Sequence, residues 1–385
     1  MSKMPSDKNN VIIACAGSGK TTYIVEEALK LKGQRVLVTT YTNENLDQIK
    51  DYFIEKNGCI PANIIVQSWF SFLLKEGVRP YQNHLTEGGR IQSILYFGNV
   101  KESDALRKGL RYIPETKGEH YLTEKNYIYE DKVSKFICKS NEQSKGLVIK
   151  RLEEVFDYIF IDELQDFAGY DLTLLELFFA SSINIVAVGD PRQATFSTNT
   201  SQKNKQHRRS NIYSWLKEKE PKREVIIKEI NECHRCNQHI CDFADKLFPD
   251  LPKTVSKNTT LTEHDGIFYI QRNDADVYIR THNPAILRYS KIIDTLGSPA
   301  INIGISKGRT YNRVLIFPTK PMLEYLKTKD ISKAGDRSKL YVAVTRAKYS
   351  VAFVVDDKDL IGKMGKNNRV PSSLVQRAGR FSGEV

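Results

Sequence analysis

The chain has 385 residues, 40% hydrophobic and 27% charged, a composition that excludes a disordered polymer and leaves room for about two domains with cores of their own. Fifty-eight Lys and Arg stand against 46 Asp and Glu, a net charge of +12 that favours a polyanion among the ligands. Six cysteines do not make a disulfide scaffold, no apolar run is long enough for a membrane span, and no signal-type stretch opens the chain, which points to the cytoplasm.

The first predicted element is a buried strand at residues 10–13, followed by Ala14-Cys15-Ala16-Gly17-Ser18-Gly19-Lys20-Thr21-Thr22 and a helical pattern to about Lys30. Strand, glycine-bearing loop and helix N-terminus form the arrangement that a nucleotide's phosphates need. Glycine tolerates the dihedrals that turn successive N–H groups toward an anion, and the helix start adds unpaired N–H groups and a positive dipole end. Lys20 is expected to reach the β- and γ-phosphates of ATP, and the Thr21 hydroxyl to hold Mg²⁺. The strict phosphate-loop pattern has glycine where this chain has Ala14.

A second strand is predicted at residues 34–41, a helix at 45–55, and a third strand at 64–66 running into Ser68-Trp69-Phe70-Ser71-Phe72. Strands alternating with helices indicate an α/β fold, a parallel sheet with ligands at the carboxyl ends of its strands. Residues 78–150 lose this rhythm and read as a small inserted subdomain. The pattern resumes with a strand at 155–161 leading into Asp162-Glu163-Leu164-Gln165-Asp166, a helix at 172–179, and a strand at 184–188 ending in Gly189-Asp190-Pro191-Arg192-Gln193.

Residues 197–223 are basic, with Lys203, Lys205, Arg208 and Arg209 close together, and read as a mobile linker. Such a segment either contacts nucleic acid or is simply disordered. A second α/β region is expected from Val225, with strands at 267–270, 314–317 and 351–355 and helices at 237–247, 284–295 and 339–346. A basic, weakly patterned tail follows at 358–385.

Phosphoryl transfer needs one carboxylate on Mg²⁺ and another to orient or deprotonate water; Asp162 suits the first role and Glu163 the second. Gln193, beyond another strand end, is placed to sense the γ-phosphate. Arg235 and Arg346 are candidates for guanidinium forks that meet transition-state charge across a cleft, which would couple ATP state to interdomain geometry. Cys233, Cys236, His239 and Cys241 lie near one another, but His239 and Cys241 face differently on a predicted helix, which favours reduced thiols over a zinc site.

In family order along most of the chain, these segments resemble superfamily 1 helicases of the UvrD/Rep type. Ala16–Thr21 resembles the first motif, and Thr40-Tyr41-Thr42-Asn43 the next, where the aromatic stacks on single-stranded DNA. Ser68–Phe72 is similar to the family's Thr-Phe-His-Ser-Phe segment, which brings Trp69 and Phe70 to the nucleic acid. Asp162–Asp166 matches the carboxylate motif, and 189–196 the third motif, with Phe196 where a DNA-stacking tyrosine is usual. Cys233-His234-Arg235-Cys236 stands where the family has Asn-Tyr-Arg-Ser, so His234 takes the place of the adenine-packing tyrosine. Residues 304–308, ending in Gly308, resemble the fifth motif, and 341–348 the sixth.

The resemblance implies two RecA-like P-loop NTPase domains, parallel sheets flanked by helices, with ATP between them and a small inserted subdomain. The corresponding divisions are 1–77 and 151–222 for the first domain, 78–150 for the insert, 223–357 for the second domain and 358–385 for a flexible tail. It further implies an ATP- and Mg²⁺-dependent helicase or translocase on single-stranded DNA, with RNA left open and polarity 3′–5′. Departures include Phe70 in place of histidine, Thr310 in place of a ribose-binding glutamate, and no glutamine ahead of the loop to read adenine. Residues 248–301 leave no room for the large insertion that contacts duplex in full-size relatives. That leaves a nucleic-acid-sensing ATPase controlling a partner nuclease, in DNA repair or phage defence, as the alternative.

Overall fold

The computed structural model describes residues 8–86, 89–96, 113–199 and 201–356. It divides into two compact units: residues 1–13 with 20–228, and 14–19 with 229–385.

The sheet of the first unit runs β3-β2-β6-β7-β1-β8, with β1 at Asn9–Ala14, β2 at Val36–Thr40, β3 at Ile64–Ser68, β6 at Tyr158–Ile161, β7 at Asn184–Gly189 and β8 at Ile226–Ile230. The pairs β2–β3, β2–β6, β6–β7 and β1–β7 are parallel. Both faces of such a sheet are covered, so its strands are near-continuous apolar runs; all five residues of β2 are buried. Register carries Ile13 opposite Gly189 and Ile161 opposite Ala187, which brings the ends of β1, β7 and β6 side by side. Because β7 lies between β1 and β6, whatever follows Gly189 stands beside both the start of helix Lys20–Leu29 and Asp162. That helix buries Ile24, Val25 and Ala28. The next helix, Asn43–Asn57, is capped by the Thr42 side chain and stopped by Gly58 in the left-handed region.

The predicted insert does not build a core of its own. Within it, β4 (Ser93–Leu95) and β5 (Tyr127–Tyr129) form a two-stranded parallel sheet. Tyr121, Ile128, Phe136 and Ile137 pack in the same apolar cluster as Trp69, Phe72 and Phe178 of the main sheet's helices. Helix Leu147–Val155 crosses the predicted boundary. The predicted linker is ordered as well: residues 212–219 form a helix that buries Ile212, Trp215 and Leu216 in that cluster. Three apolar residues among many charges suffice when they share one helical face. Val225 packs in that cluster and β8 joins the first sheet, so the units divide after Lys228 rather than at 222.

The second unit carries an all-parallel sheet of order β11-β15-β14-β12-β13: β11 Gly266–Gln271, β12 Ala285–Arg288, β13 Ile301–Asn302, β14 Tyr311–Phe317 and β15 Ala347–Val355. Two residues of β9 (Glu232–Cys233) pair with two of β10 (Val255–Ser256). Helices Gln238–Asp245 and Arg337–Val344 stand where two were expected. The third, predicted at 284–295, is the strand β12 instead: Ala285, Ile286 and Leu287 pair with Val314, Leu315 and Ile316. A short apolar run has no periodicity to separate strand from helix, and its sheet partners decide. The predicted tail at 358–385 lies outside the described residues. Among the described residues, no helix is long and apolar enough to cross a membrane.

Candidate nucleotide and nucleic-acid sites

In the first unit, the Thr21 hydroxyl donates to Asp162 Oδ2 at 3.3 Å, and the Glu163 N–H to Asp162 Oδ1 at 2.9 Å. One hydroxyl and one buried carboxylate oxygen at this spacing fit a hard, oxygen-seeking cation such as Mg²⁺. Glu163 itself is left-handed, with φ 57°, an uncommon state for a non-glycine residue. Asn45 Nδ2 donates to Glu163 Oε1 at 3.4 Å, and Gln165 Nε2 donates to Glu163 Oε2. The other end of the Gln165 amide accepts the Asp190 N–H at 2.9 Å. Asp190, fully buried, accepts from Arg192 Nε at 2.8 Å and from Gln193 Nε2 at 2.9 Å. Burial pushes its carboxyl up, but the charges of Arg192 and Lys20 and these hydrogen bonds outweigh that and hold it below the usual carboxylate range. Glu163 and Gln193 are therefore joined through Gln165 and Asp190, with Asp162 bonded to the Glu163 N–H and the Lys20 charge acting on Asp190. A side chain on Gly189 would meet Gln165 Oε1 at 2.7 Å and break the link.

Residues 14–19 belong to the second unit, where the loop is tied to residues 230–235. Cys15 N–H donates to Ile230 O at 3.1 Å, and His234 N–H to Gly17 O at 2.9 Å. Ala16 N–H donates to the Tyr341 hydroxyl at 3.3 Å. Gly17 and Gly19 have φ of 75° and 81°. A Cβ on Gly17 would lie 2.6 Å from Arg235 Cβ, so glycine is required twice over. The Ser18 hydroxyl is buried without a hydrogen-bond partner. An orphaned donor in a loop of this shape fits a phosphate oxygen. Thr22 follows Thr21 in the first turn of the helix.

Arg235 Nη1 donates to Thr345 O at 3.2 Å. Arg346 is only 1% exposed; its Nε donates to Val342 O at 3.1 Å and its Nη1 to Arg309 O at 3.3 Å. Arg346, expected as a guanidinium fork projecting toward transition-state charge, instead holds carbonyls of the sixth-motif helix and of the turn after Gly308. His234 and Gly308 are exposed. Among the described residues no cluster of His, Cys, Asp and Glu is arranged to hold a metal. Cys233, Cys236 and Cys241 are buried; donation from the other two thiols and from backbone N–H groups pulls Cys233 far below the ordinary thiol range, and the other two are pushed up.

The aromatic candidates form a layered surface in the first unit. Tyr41 packs on Phe196 at 4.9 Å between centroids and edge-on against Phe70 at 5.3 Å, and its hydroxyl donates to Glu130 Oε1 at 2.7 Å. Phe196 is 46% exposed, a face open to a base. Phe70 is buried beneath this pair, with Tyr96 against it. Trp69 is fully buried, and its indole N–H donates to Asp171 Oδ1 at 3.0 Å. Its predicted contact with nucleic acid is corrected: no face is open, and the indole belongs to the core. Thr42 is a helix cap and Asn43 the exposed first residue of that helix.

A family model for an AAA domain matches residues 2–199, and one for the viral superfamily 1 RNA helicase core domain matches residues 140–355, each more than half of the chain. The chain belongs to the superfamily 1 helicases. Members are nucleic-acid-dependent NTPases that use ATP with Mg²⁺. The matches mark the superfamily without singling out its UvrD/Rep branch. Similar solved structures include the crystal structure of arterivirus nonstructural protein 10, a helicase, 16% identical, over 93% of this chain and 62% of that one, at a TM-score of 0.48. Another is the PRRSV helicase, 14% identical over 96% of this chain and 63% of that one, at 0.44. A third is the arterivirus protein in complex with DNA, 15% identical over 93% and 63%, at 0.48. The chain thus spans less than two thirds of the length of these relatives. No curated protein matches it.

Within this chain, the residues that sequence reasoning missed are the connectors. Gln165 and Asp190 lie inside motifs whose end residues drew attention, and only the adjacency of β6 and β7 makes them partners. Asp171 was invisible because a buried carboxylate in an apolar helix has no local signature. It accepts from Trp69, from Thr198 Oγ1 at 2.6 Å and from Ser134, while burial pushes its carboxyl up.

Proposed function

We propose that the chain is an ATP-driven translocase on single-stranded nucleic acid, with DNA as the first substrate to test and 3′–5′ as the direction that the UvrD/Rep resemblance implies. The observation that carries this reading is the continuous hydrogen-bonded link from Glu163 through Gln165 to Asp190 and Gln193. In it a candidate base for water and a candidate γ-phosphate sensor share one network, beside the Tyr41–Phe196 aromatic pair.

When bound, Mg²⁺ with ATP supplies the polarised γ-phosphoryl group. Lys20, the loop N–H groups and the Ser18 hydroxyl hold the phosphates, and Thr21 and Asp162 hold the cation. Glu163 accepts the proton of the attacking water, oriented by Asn45. Gln193 registers the γ-phosphate through Asp190. In the second unit, Arg235 and Arg346 are the candidates for charge on the γ-phosphate, and His234 for the base, as the family resemblance implies. Bases stack on Tyr41 and Phe196.

A second reading, a nucleic-acid-sensing ATPase that controls a partner nuclease or repair or defence complex, is favoured by the interval 248–301. It holds β10, β11, helix Ala275–His282 and β12 with the segments that connect them, against the well over a hundred residues that the duplex-contacting insertion takes in full-size relatives. ATP turnover with single-stranded DNA, single-stranded RNA and duplex, then translocation on strands labelled at either end, separates the readings. The translocase moves with one polarity; the sensor is stimulated and does not move.

A further inference from the structure

The phosphate loop packs against a cluster of thiols. Cys233 ends β9, Cys236 follows after two residues, and Cys241 lies in the first turn of helix Gln238–Asp245. All are buried in one apolar cluster with Cys15 and Ala16 of the loop. The Cys236 N–H donates to Cys233 Sγ at 3.3 Å, so the bend between them folds back on the first sulfur. The Cys236 and Cys241 thiols donate to that sulfur as well, and these bonds outweigh burial and hold Cys233 below the ordinary thiol range. The same sulfur would lie 3.0 Å from a Cβ on Gly17. The two residues inside the bend also meet the loop: His234 N–H donates to Gly17 O at 2.9 Å, and Arg235 Cβ crowds Gly17. The Cys236 thiol donates to Thr345 O at 3.5 Å, the carbonyl that Arg235 Nη1 reaches.

We propose that Cys233 and Cys236 form a modification site, a dithiol that hydrogen peroxide oxidises to a disulfide, and that the disulfide weakens nucleotide binding at the phosphate loop. The second half rests on the nucleotide reading above; the first half does not. The Cys233 thiolate attacks one peroxide oxygen, the O–O bond breaks, hydroxide leaves, and Cys233 becomes a sulfenic acid. The Cys236 sulfur then attacks the Cys233 sulfur; the thiol proton leaves with the sulfenic hydroxyl as water, and the S–S bond forms. Two electrons pass from the sulfur pair to the peroxide. Cys236 is the resolving partner because its own N–H already holds it against Cys233 Sγ, whereas Cys241 is fixed in a helix and its thiol also donates to Cys236 O at 3.9 Å. Glu232 and His234, on either side of Cys233, are exposed, so local opening of this short segment admits a small peroxide. Oxidation removes the Cys236 hydrogen bond to Thr345 O and reshapes the bend that carries His234 and Arg235 against Gly17.

The test is oxidation of the purified chain across a hydrogen peroxide series, in a Cys59→Ser background that removes the exposed thiol. Intact mass reports the loss of two hydrogens. Trypsin cuts after Arg235 and so places Cys233 in peptide 229–235 and Cys236, with Cys241, in peptide 236–246. The expected result is that the two peptides stay joined until a dithiol reductant parts them, in the parent and in Cys241→Ser, and separate in Cys236→Ser. Titration with a fluorescent ATP analogue should show affinity roughly tenfold lower after oxidation, near the worth of one loop hydrogen bond. Reductant should restore it, and peroxide should leave it unchanged in Cys236→Ser. Thermal midpoints verify folding, and the parent with Cys241→Ser carries the test if Cys236→Ser unfolds. Peptides that separate at every dose, or oxygen gained at Cys233 without linkage, would overturn the disulfide. Linkage lost in Cys241→Ser and kept in Cys236→Ser would overturn the pairing. A disulfide that leaves affinity unchanged would overturn its effect on the loop. Failure of the reduced parent to bind nucleotide would overturn the nucleotide reading, while joined peptides would still establish the dithiol site.

Discussion

The carboxylate region of the first unit and the arginine region of the second are held together in different ways. Around Glu163 and Asp190, side chains bond to side chains: Asn45, Gln165, Arg192 and Gln193 each meet a carboxylate. Around Arg235 and Arg346 the guanidinium groups bond to backbone carbonyls of Thr345, Val342 and Arg309. The first arrangement can change with charge at the site while the backbone stays put. The second ties the charge to the position of the chain itself. A side-chain network suits sensing and proton transfer; guanidinium groups bonded to the backbone suit a unit that must move as one piece.

The largest expected effects lie at the side-chain network. Lys20→Ala and Glu163→Gln should each lower turnover on the order of 10³-fold. Lys20→Ala should also weaken ATP binding, whereas Glu163→Gln should leave nucleotide bound, because the role proposed for Glu163 is at the attacking water. Steady-state turnover with a fluorescent-nucleotide titration separates the two. Near-normal hydrolysis by the Glu163→Gln protein would remove the catalytic half of the comparison.

The second region predicts a split between its arginines. Arg235→Ala should cost on the order of 10³-fold in turnover, by analogy with arginine fingers, and less stability than Arg346→Ala, since the Thr345 carbonyl it leaves also accepts from the Cys236 thiol. Arg346→Ala should cost stability as well, since each carbonyl left without its donor costs about 1–3 kcal/mol when buried. Arg346→Lys should recover part of the stability and little of the rate. The rate losses of the two alanine variants should be non-additive. Calorimetry beside turnover at saturating ATP and single strand measures both; equal melting temperatures for the two alanine variants would erase the distinction.

A smaller contrast divides the aromatic residues. Tyr41→Ala and Phe196→Ala should weaken single-strand affinity by about 1–3 kcal/mol for each stacked base. Trp69→Ala should destabilise the fold by about 3–5 kcal/mol through the cavity it leaves, with Asp171 losing a donor. Affinity and urea denaturation on the three variants distinguish a surface from its support. A Trp69→Ala protein as stable as wild type would contradict its place in the core.

The smallest effect concerns acid. His264 in the second unit stacks on Phe268 at 3.8 Å and on His282 at 4.0 Å, and its Nε2 meets the Tyr278 hydroxyl at 2.9 Å. Burial, with His282 and Arg313 nearby and only Asp265 opposing, lowers its pKa to about 3 from 6.5. The unfolded chain therefore binds the proton first, so stability present above pH 6.5 is lost as pH falls toward 3. His264→Phe should flatten the melting temperature against pH over that window; an unchanged slope would show that another group governs it.

Much of this was legible in the sequence where local chemistry repeats a physical requirement. Gly17 and Gly19 before Lys20 foretell a turn with φ of 75° and 81°, and Asp162 after an apolar strand stands where the Thr21 hydroxyl reaches it. What escaped depends on neighbours remote in sequence. The run at 285–288 became a strand because β13 and β14 flank it. The basic segment at 212–219 became a helix because Ile212, Trp215 and Leu216 find a core. Arg346 read as a projecting finger because its carbonyl partners belong to residues 342 and 309, and no pattern announces a side chain folded back on the backbone.

The most direct measurement is the rate of ATP hydrolysis by the purified chain with and without single-stranded DNA or RNA, with the Glu163→Gln protein as control. The account predicts slow basal turnover, stimulation by single strand that saturates with strand concentration, and loss of both in the control. A rate indifferent to every nucleic acid, or one that survives Glu163→Gln, would contradict it.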